Sequence, residues 1–285
     1  MLPLAIRKLS CNPRLRQFGH RLHVNHLVRR VYCRLLSASG QLQVSCLGVQ
    51  AVFQTSSSKQ LAFVDYILTS EREAIEAALC TLQPGDTFLD VGSHYGIYSV
   101  LASKLVGPAG RVIAVEPHPE SLQVLRANLA LNGCGNVEAL NAAFSDSSGP
   151  IAMAYDENFA TVQRASKPNS TTHTGRGLSA QDHSVQGHSV QGLAGDEALR
   201  HRPVPAAMKI DVEGHEYAVL TGLKRTLSSP SCRRLCLEIH PPLLPPGVGE
   251  DDVLGLVREC GLNVLSEHAR SADIHVVASR GSSAT

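Results

Sequence analysis

The chain of 285 residues contains no tryptophan, and its aromatic residues amount to only 4% of the total. A nucleic-acid surface built on stacked bases therefore has little material to use. No window approaches the roughly 18 uninterrupted apolar residues of a membrane-spanning helix, and Arg7 comes too early for the apolar core of a signal peptide. No CxxC pair occurs among the eight cysteines at positions 11, 33, 46, 80, 134, 232, 236 and 260, several of which fall at apolar positions. They read as reduced, buried thiols of a cytoplasmic protein rather than as a disulfide framework or a zinc site.

Acidic residues are missing from the first 64 positions, since the first carboxylate is Asp65. Nine basic residues stand before it, and the remainder carries 17 positive and 25 negative side chains, an asymmetry hidden by the net charge of +1. At 43% apolar and 18% charged, the chain can bury a substantial core. Its length suits one large domain (65 to 285) with a basic N-terminal extension (1 to 64).

Within the extension, residues 21 to 36 put Val24, Leu27, Val28, Val31 and Leu35 on one helical stripe, with Arg29, Arg30 and Arg34 off it. Residues 41 to 54 alternate apolar and polar, as a short strand pair does. Ser70 and Glu73 have capping-box spacing, and Ile75, Ala78, Leu79 and Leu82 supply the buried face of the helix expected after them. From Thr87 strands (87 to 91, 111 to 115, 136 to 144, 207 to 212, 234 to 239) alternate with helices (96 to 106, 119 to 132, 215 to 227). That rhythm predicts a parallel sheet covered on both faces. A helix at 251 to 260 follows, and the last two strands, 262 to 267 and 273 to 279, are too close for a crossover and must be antiparallel. The fold class is α/β, with a doubly wound Rossmann-like sheet closed by an antiparallel C-terminal hairpin, as in class I methyltransferases. Residues 156 to 205 interrupt the rhythm with polar, histidine-bearing sequence and a tandem HSVQG repeat at 183 to 192. They read as a solvated, flexible insertion.

Chemistry-bearing residues gather at strand ends. Asp90, Gly92, Ser93, His94 and Gly96 form a glycine turn between a strand and a helix, the place where open α/β sheets bind ligands. His94 occupies the position that a dinucleotide fingerprint gives to its second glycine. Asp90 would repel a pyrophosphate but suits the cationic ammonium and sulfonium of S-adenosylmethionine. Glu116 ends the second strand, placed for ribose hydroxyls, a feature NAD-binding domains share. Asp146 is either an acceptor for an adenine amine or an ordinary solvated turn residue. Alternation sends Lys209, Asp211 and Glu213 to one face of the fourth strand, while Glu216 reads as a solvated helix-start acid. Glu238 and His240 end the fifth strand. Cleft carboxylates beside a histidine suit proton transfer; a divalent cation on Asp211, Glu213, Glu238 and His240 is chemically permissible but is not the reading adopted.

In order, LDVGSHYGIYS, AVEPHPES, LRANLALNGCGNVEALNAAFSDSSG, MKIDVEGHEYAVLTG and LCLEIHP resemble the FkbM-type S-adenosylmethionine-dependent methyltransferases over about residues 60 to 243. The resemblance implies a class I fold, S-adenosylmethionine as donor, and O-methylation of a sugar, glycan or polyketide-type hydroxyl. The family commonly has Asn at the position of His94, and a shorter connection with a strand and an acidic helix where SVQGLAGDEALR stands here. The reaction expected is in-line displacement, with Asp90, Gly92, Ser93, His94, Gly96, Glu116 and Asp146 on the donor. Asp211, Glu213, Glu238 and His240 bind the acceptor and take its proton, His240 being the favoured base from its ordinary pKa of ~6.5. Two rivals remain: RNA methylation using the basic arm, which lacks an Asn/Asp-Pro-Pro-aromatic motif after the fourth strand, and donor binding without catalysis. The partner expected is a small-molecule or glycan acceptor, not nucleic acid, and oligomeric state is not legible. If the arm lines the acceptor cleft, the acceptor is anionic.

Overall fold

A computed structural model describes residues 40 to 156, 159 to 164, 187 to 270 and 272 to 281. The basic helix expected at 21 to 36, together with Cys11 and Cys33, lies outside the described residues. Cys46, Cys134, Cys232, Cys236 and Cys260 are free and buried, and Cys80 is free and exposed. Among the described residues no helix is long and apolar enough to cross a membrane.

The chain enters through a hairpin, β1 (Gln41–Cys46) and β2 (Val49–Gln54), whose alternate residues Leu42, Val44 and Cys46 face inward. Helix α1 (Ser58–Ser70) follows, started by a capping box in which Ser57 Oγ accepts from the Gln60 N–H and Gln60 Oε1 accepts from the Ser57 N–H. The box expected at Ser70 and Glu73 does not form. Ser70 ends α1, and α2 (Arg72–Leu79) begins at Glu71 without a side-chain cap. The inward spacing of Leu61, Val64, Ile67 and Leu68 makes α1 amphipathic, but its β-branched and aromatic residues mask that period in the sequence. The 64/65 division suggested by charge falls inside this helix.

Seven strands form the main sheet: β3 (Thr87–Val91), β4 (Arg111–Val115), β5 (Val137–Leu140), β10 (Ala207–Ile210), β11 (Arg234–Ile239), β12 (Asn263–Arg270) and β13 (Asp273–Ser279). Their order is β12-β13-β11-β10-β3-β4-β5. The pairs from β11 across to β5 are parallel, and β13 is antiparallel to both neighbours. This is the class I methyltransferase order, with the final strand inserted between the fifth and sixth. Alternate strand residues feed two cores. Phe88, Val112 and Ala207 meet α3 (Ile97–Val106), α4 (Pro119–Leu131) and the hairpin on one face. Leu89, Ile113, Met208 and Leu237 meet α6 (Glu216–Gly222), α7 (Lys224–Ser228) and α8 (Glu250–Glu259) on the other.

The strand expected over 136 to 144 is broken. Asn141 Nδ2 donates to the carbonyls of Glu116 and Pro117, and β6 (Ala143–Ser145) leaves β5 for a second, four-stranded sheet of order β6-β9-β7-β8. That sheet corrects the reading of 156 to 205 as structureless at its two ends. After β7 (Gly149–Asp156), the segment supplies β8 (Phe159–Arg164), β9 (Gly187–Ala194) and the short acidic helix α5 (Gly195–Ala198). The second HSVQG copy is strand β9, paired to β7 and β6 at once. Residues 165 to 186 lie outside the described residues.

Candidate active site

The order of strands reverses at β3, so the crevice lies beyond the carboxyl ends of β3 and β10. Gly92 stands there at φ +75°, and a β-carbon on it would run into the Asp211 carbonyl. Its N–H and that of Ser93 both donate to the Val115 carbonyl, at 3.0 and 3.1 Å. Gly96, at φ +77°, starts α3 where a β-carbon would come within 2.9 Å of Leu125 Cγ on α4. The two glycines therefore serve backbone approach on opposite sides of the loop.

Glu116 ties this loop to β4. One carboxylate oxygen accepts from the His94 N–H and the other from the His118 N–H, each at 2.8 Å. Burial raises its pKa to about 7 against the lowering effect of those two bonds. Asp90 is fully buried, accepts from Ser99 Oγ at 2.5 Å, and is raised by the same loss of water despite the Lys209 charge. His94 adopts φ +47°, and its ring forms a cluster with Phe63 of α1, 4.0 Å away, and Tyr95, 3.9 Å away and stacked, which are themselves 5.0 Å apart. Burial, then the Lys209 charge, depress its pKa to about 3, so the imidazole is neutral.

Buried polar atoms without partners need an explanation. Asp90 Oδ1, Ser93 Oγ and both ring nitrogens of His94 are such atoms, clustered in this one segment. A polar, partly cationic ligand beside Asp90 satisfies this set, so the residues fit S-adenosylmethionine. Asp146 is exposed, accepts from Ser145 Oγ and Ser147 Oγ at 3.1 Å each, and sits where Gly222 allows the turn to press on α6.

Lys209 links this loop to the second cluster. Its ammonium donates to the Gly92 carbonyl at 2.8 Å, pairs with Asp211 at 3.1 Å and lies 5.3 Å from the Tyr98 ring centre. Burial opposes its charge, but Asp211 and Asp90 outweigh that and hold the pKa above the usual lysine range.

Asp211, Glu213, Glu238 and His240 do meet. His240 Nε2 lies 3.9, 3.5 and 3.9 Å from oxygens of Asp211, Glu213 and Glu238. Its Nδ1 lies 2.7 Å from Glu216 Oε1. Burial alone would lower the His240 pKa, but the Glu216 hydrogen bond, Asp211 and Glu213 outweigh it and raise the value to about 10. The Glu216 bond fixes the ring by Nδ1 and leaves Nε2 facing the carboxylates of Asp211, Glu213 and Glu238. Asp211 is lowered because Lys209 and His240 outweigh its burial. Glu213, at φ +52°, is raised to about 7, chiefly by burial.

Three participants escaped the sequence reading. Glu216 is fully buried, not solvated, because the turn at Gly214 folds it under the cluster. Glu71, at the α1–α2 junction, is 9% exposed and raised to about 7 by burial and then by Glu238 and Asp211. His275 of β13 lies opposite Glu238 and pairs with it at 3.2 Å. No motif marks Glu71 or His275; their places depend on the hairpin layer and on strand insertion. Among the described residues, two sets place metal-ligating atoms within 4.8 Å of one another: Asp211, Glu213, His240 and Glu238, His240, Asp273.

Residues 90 to 263 match the model of the methyltransferase FkbM domain. The hexuronic acid methyltransferase AglP of Haloferax volcanii is 28% identical over 198 residues, 69% of this chain and 71% of its own length. The 31-O-demethyl-FK506 methyltransferase FkbM of Streptomyces tacrolimicus is 28% identical over 222 residues, 70% of this chain and 82% of its own. A crystal structure of an FkbM methyltransferase from Methylobacillus flagellatus aligns at 14% identity and a TM-score of 0.45, covering 89% of this chain and 60% of that one. Strand order carries the fold assignment here, and the domain match carries the family. The chain belongs to the FkbM family of methyltransferases.

Proposed function

We propose that this chain moves a methyl group from S-adenosylmethionine to a hydroxyl of a sugar, glycan or polyketide-type acceptor. The observation that carries the reading is the Lys209 bridge. It joins a glycine loop bearing unsatisfied buried polar atoms to a carboxylate cluster at the same sheet edge. The relatives AglP, a hexuronic acid methyltransferase, and FkbM, a 31-O-demethyl-FK506 methyltransferase, support the acceptor class.

Asp90, Gly92, Ser93, His94, Gly96 and Glu116 hold the donor, with Asp146 toward its adenine edge. When bound, the donor supplies a methyl group on a cationic sulfur that leaves as a neutral thioether. The protein's tasks are then alignment and proton removal. The acceptor oxygen forms its new bond to the methyl carbon, and its proton passes to the Glu213 carboxylate. Glu213 is the group placed to take it, since its pKa of about 7 balances ionised fraction against basicity. Asp211 and Glu238 orient the hydroxyl, and the His240 ring, held by Glu216, keeps the carboxylates together.

The test is transfer of labelled methyl from S-adenosylmethionine to a panel of neutral sugars, uronic acids, polyketide alcohols and RNA. Transfer to a sugar or polyketide hydroxyl is the expected result. Transfer to RNA alone, or donor binding without transfer to anything, overturns it. Deleting residues 1 to 36 separately tests the basic arm: unchanged affinity for an anionic acceptor rules out a role in binding it.

A further inference from the structure

Glu216 has no part in the donor contacts or the proton transfer, yet it is the most deeply placed acid of the cluster, at 0% exposure. One of its oxygens, Oε1, accepts twice: from the Gly214 N–H at 2.8 Å and from His240 Nδ1 at 2.7 Å. The first bond fixes the turn that carries Asp211 and Glu213. The second fixes the end of β11, which carries Glu238 and His240. Gly214 itself stands at φ +93°, where a β-carbon would strike the Leu243 carbonyl, so the turn and the strand end are pressed together at this point. Its other oxygen, Oε2, is buried without a partner.

We propose that Glu216 is the positioning residue of the acceptor site, fixing the His240 ring through Nδ1 so that Nε2 faces Asp211, Glu213 and Glu238. The inference rests on the methyl-transfer reading for its catalytic consequence, but not for its structural content. A carboxylate 2.7 Å from Nδ1 requires a proton on that nitrogen. The groups facing the imidazole are Asp211 and Glu213 from the turn after β10, Glu216 from α6 and Glu238 from β11. Behind them stand Lys209 on β10, Asp273 and His275 on β13, and Glu71 from the helix junction. Without Glu216 the imidazole loses the hydrogen bond that orients it and favours its protonation, and Nε2 is no longer held among the three carboxylates. Such an outer hydrogen-bond partner sets both ring orientation and basicity.

Two measurements on the full chain decide it. The first is an NMR titration of the His240 ring, identified by the resonance that disappears in His240→Asn. In the wild-type protein it titrates near pH 10, and in Glu216→Gln its midpoint falls by about 2 pH units or more. A wild-type midpoint near the ordinary value of ~6.5, or the same midpoint in Glu216→Gln, overturns the proposal, and the wild-type measurement needs no variant to fold. The second is the pH profile of methyl transfer. Glu216→Gln binds S-adenosylhomocysteine as the wild type does, loses about tenfold or more in kcat at pH 7, and has its alkaline limb moved toward neutrality; Glu216→Asp restores part of both. An unchanged kcat and profile in a folded Glu216→Gln overturn the positioning role. A wild-type chain with the expected His240 titration but no transfer to any acceptor overturns the functional reading and leaves the Glu216–His240 pair standing.

Discussion

Asn132, the residue that caps the carboxyl end of α4, grips Val52 of β2 on both sides of its peptide backbone. Its Oδ1 accepts from the Val52 N–H at 2.9 Å and its Nδ2 donates to the Val52 carbonyl at 2.6 Å. Asn128, one turn earlier, accepts from the Gln54 N–H at 2.8 Å. A hairpin that would otherwise present an open strand edge is thus fastened to the helix behind the donor loop. Asn132→Ala leaves both Val52 groups unpartnered and is expected to cost about 1 to 3 kcal/mol, read by urea unfolding. Amide exchange over residues 41 to 54 should accelerate, and unchanged protection there would show that apolar packing alone holds the hairpin.

Gly92→Ala places a methyl group against the Asp211 carbonyl at φ +75°. Left-handed strain and overpacking together predict about 2 to 5 kcal/mol of lost stability, with donor binding abolished in calorimetry. Gly107→Ala also has a positive φ, +66° with ψ −175°, but open space around the new group. It should cost only the backbone strain, about 1 to 3 kcal/mol, and bind donor normally.

His94→Asn tests the buried neutral ring. The folded pKa of about 3 lies below the unfolded ~6.5, so the unfolded chain takes up the proton first. His94 therefore contributes stability that is present above pH 6.5 and is lost progressively as pH falls toward 3. The stability of His94→Asn relative to wild type should rise by about 2 kcal/mol between pH 7 and pH 5, measured as the difference between paired denaturant curves. A difference that does not move with pH would place the ring in water.

Glu213→Gln removes the proposed base and should lower kcat by about 10² or more while donor affinity holds. In the wild type, the acid limb of kcat/KM should fall near pH 7, where Glu213 protonates. An acid limb near pH 4 would assign the proton to another group.

Dialysis against EDTA should leave methyl transfer unchanged. His240 Nε2, 3.5 to 3.9 Å from oxygens of Asp211, Glu213 and Glu238, already stands among the carboxylates that a cation would have to share. Restoration of activity by magnesium or manganese after EDTA would reverse that conclusion and make Asp211, Glu213 and His240 ligands.

Some of this is legible in the amino-acid sequence. Five ordered segments placed the parallel strands, and the short final turn required an antiparallel last pair, because strand runs and turn lengths are local properties. The meeting of the glycine loop with Asp211, Glu213, Glu238 and His240 is legible for the same reason: all lie at carboxyl ends of strands, and a parallel sheet brings such ends together. The capping box was misplaced because Ser70 and Glu73 have the right spacing, while Ser57 and Gln60 actually form the bonds. The insertion was read as loop because its composition is polar, whereas backbone pairing of β9 on two sides at once supplies what its side chains do not.

The sequence by itself determined the order of the main-sheet strands, the family and the location of chemistry at one sheet edge. Only the tertiary structure decided which charge each group carries there. His240 and Glu216 are 24 residues apart in the chain yet 2.7 Å apart in space, and the ordinary pKa of an imidazole says nothing about a buried carboxylate that the fold brings beside it. Ionisation depends on desolvation and on partners from other elements, which are properties of the packed structure rather than of any local stretch of residues.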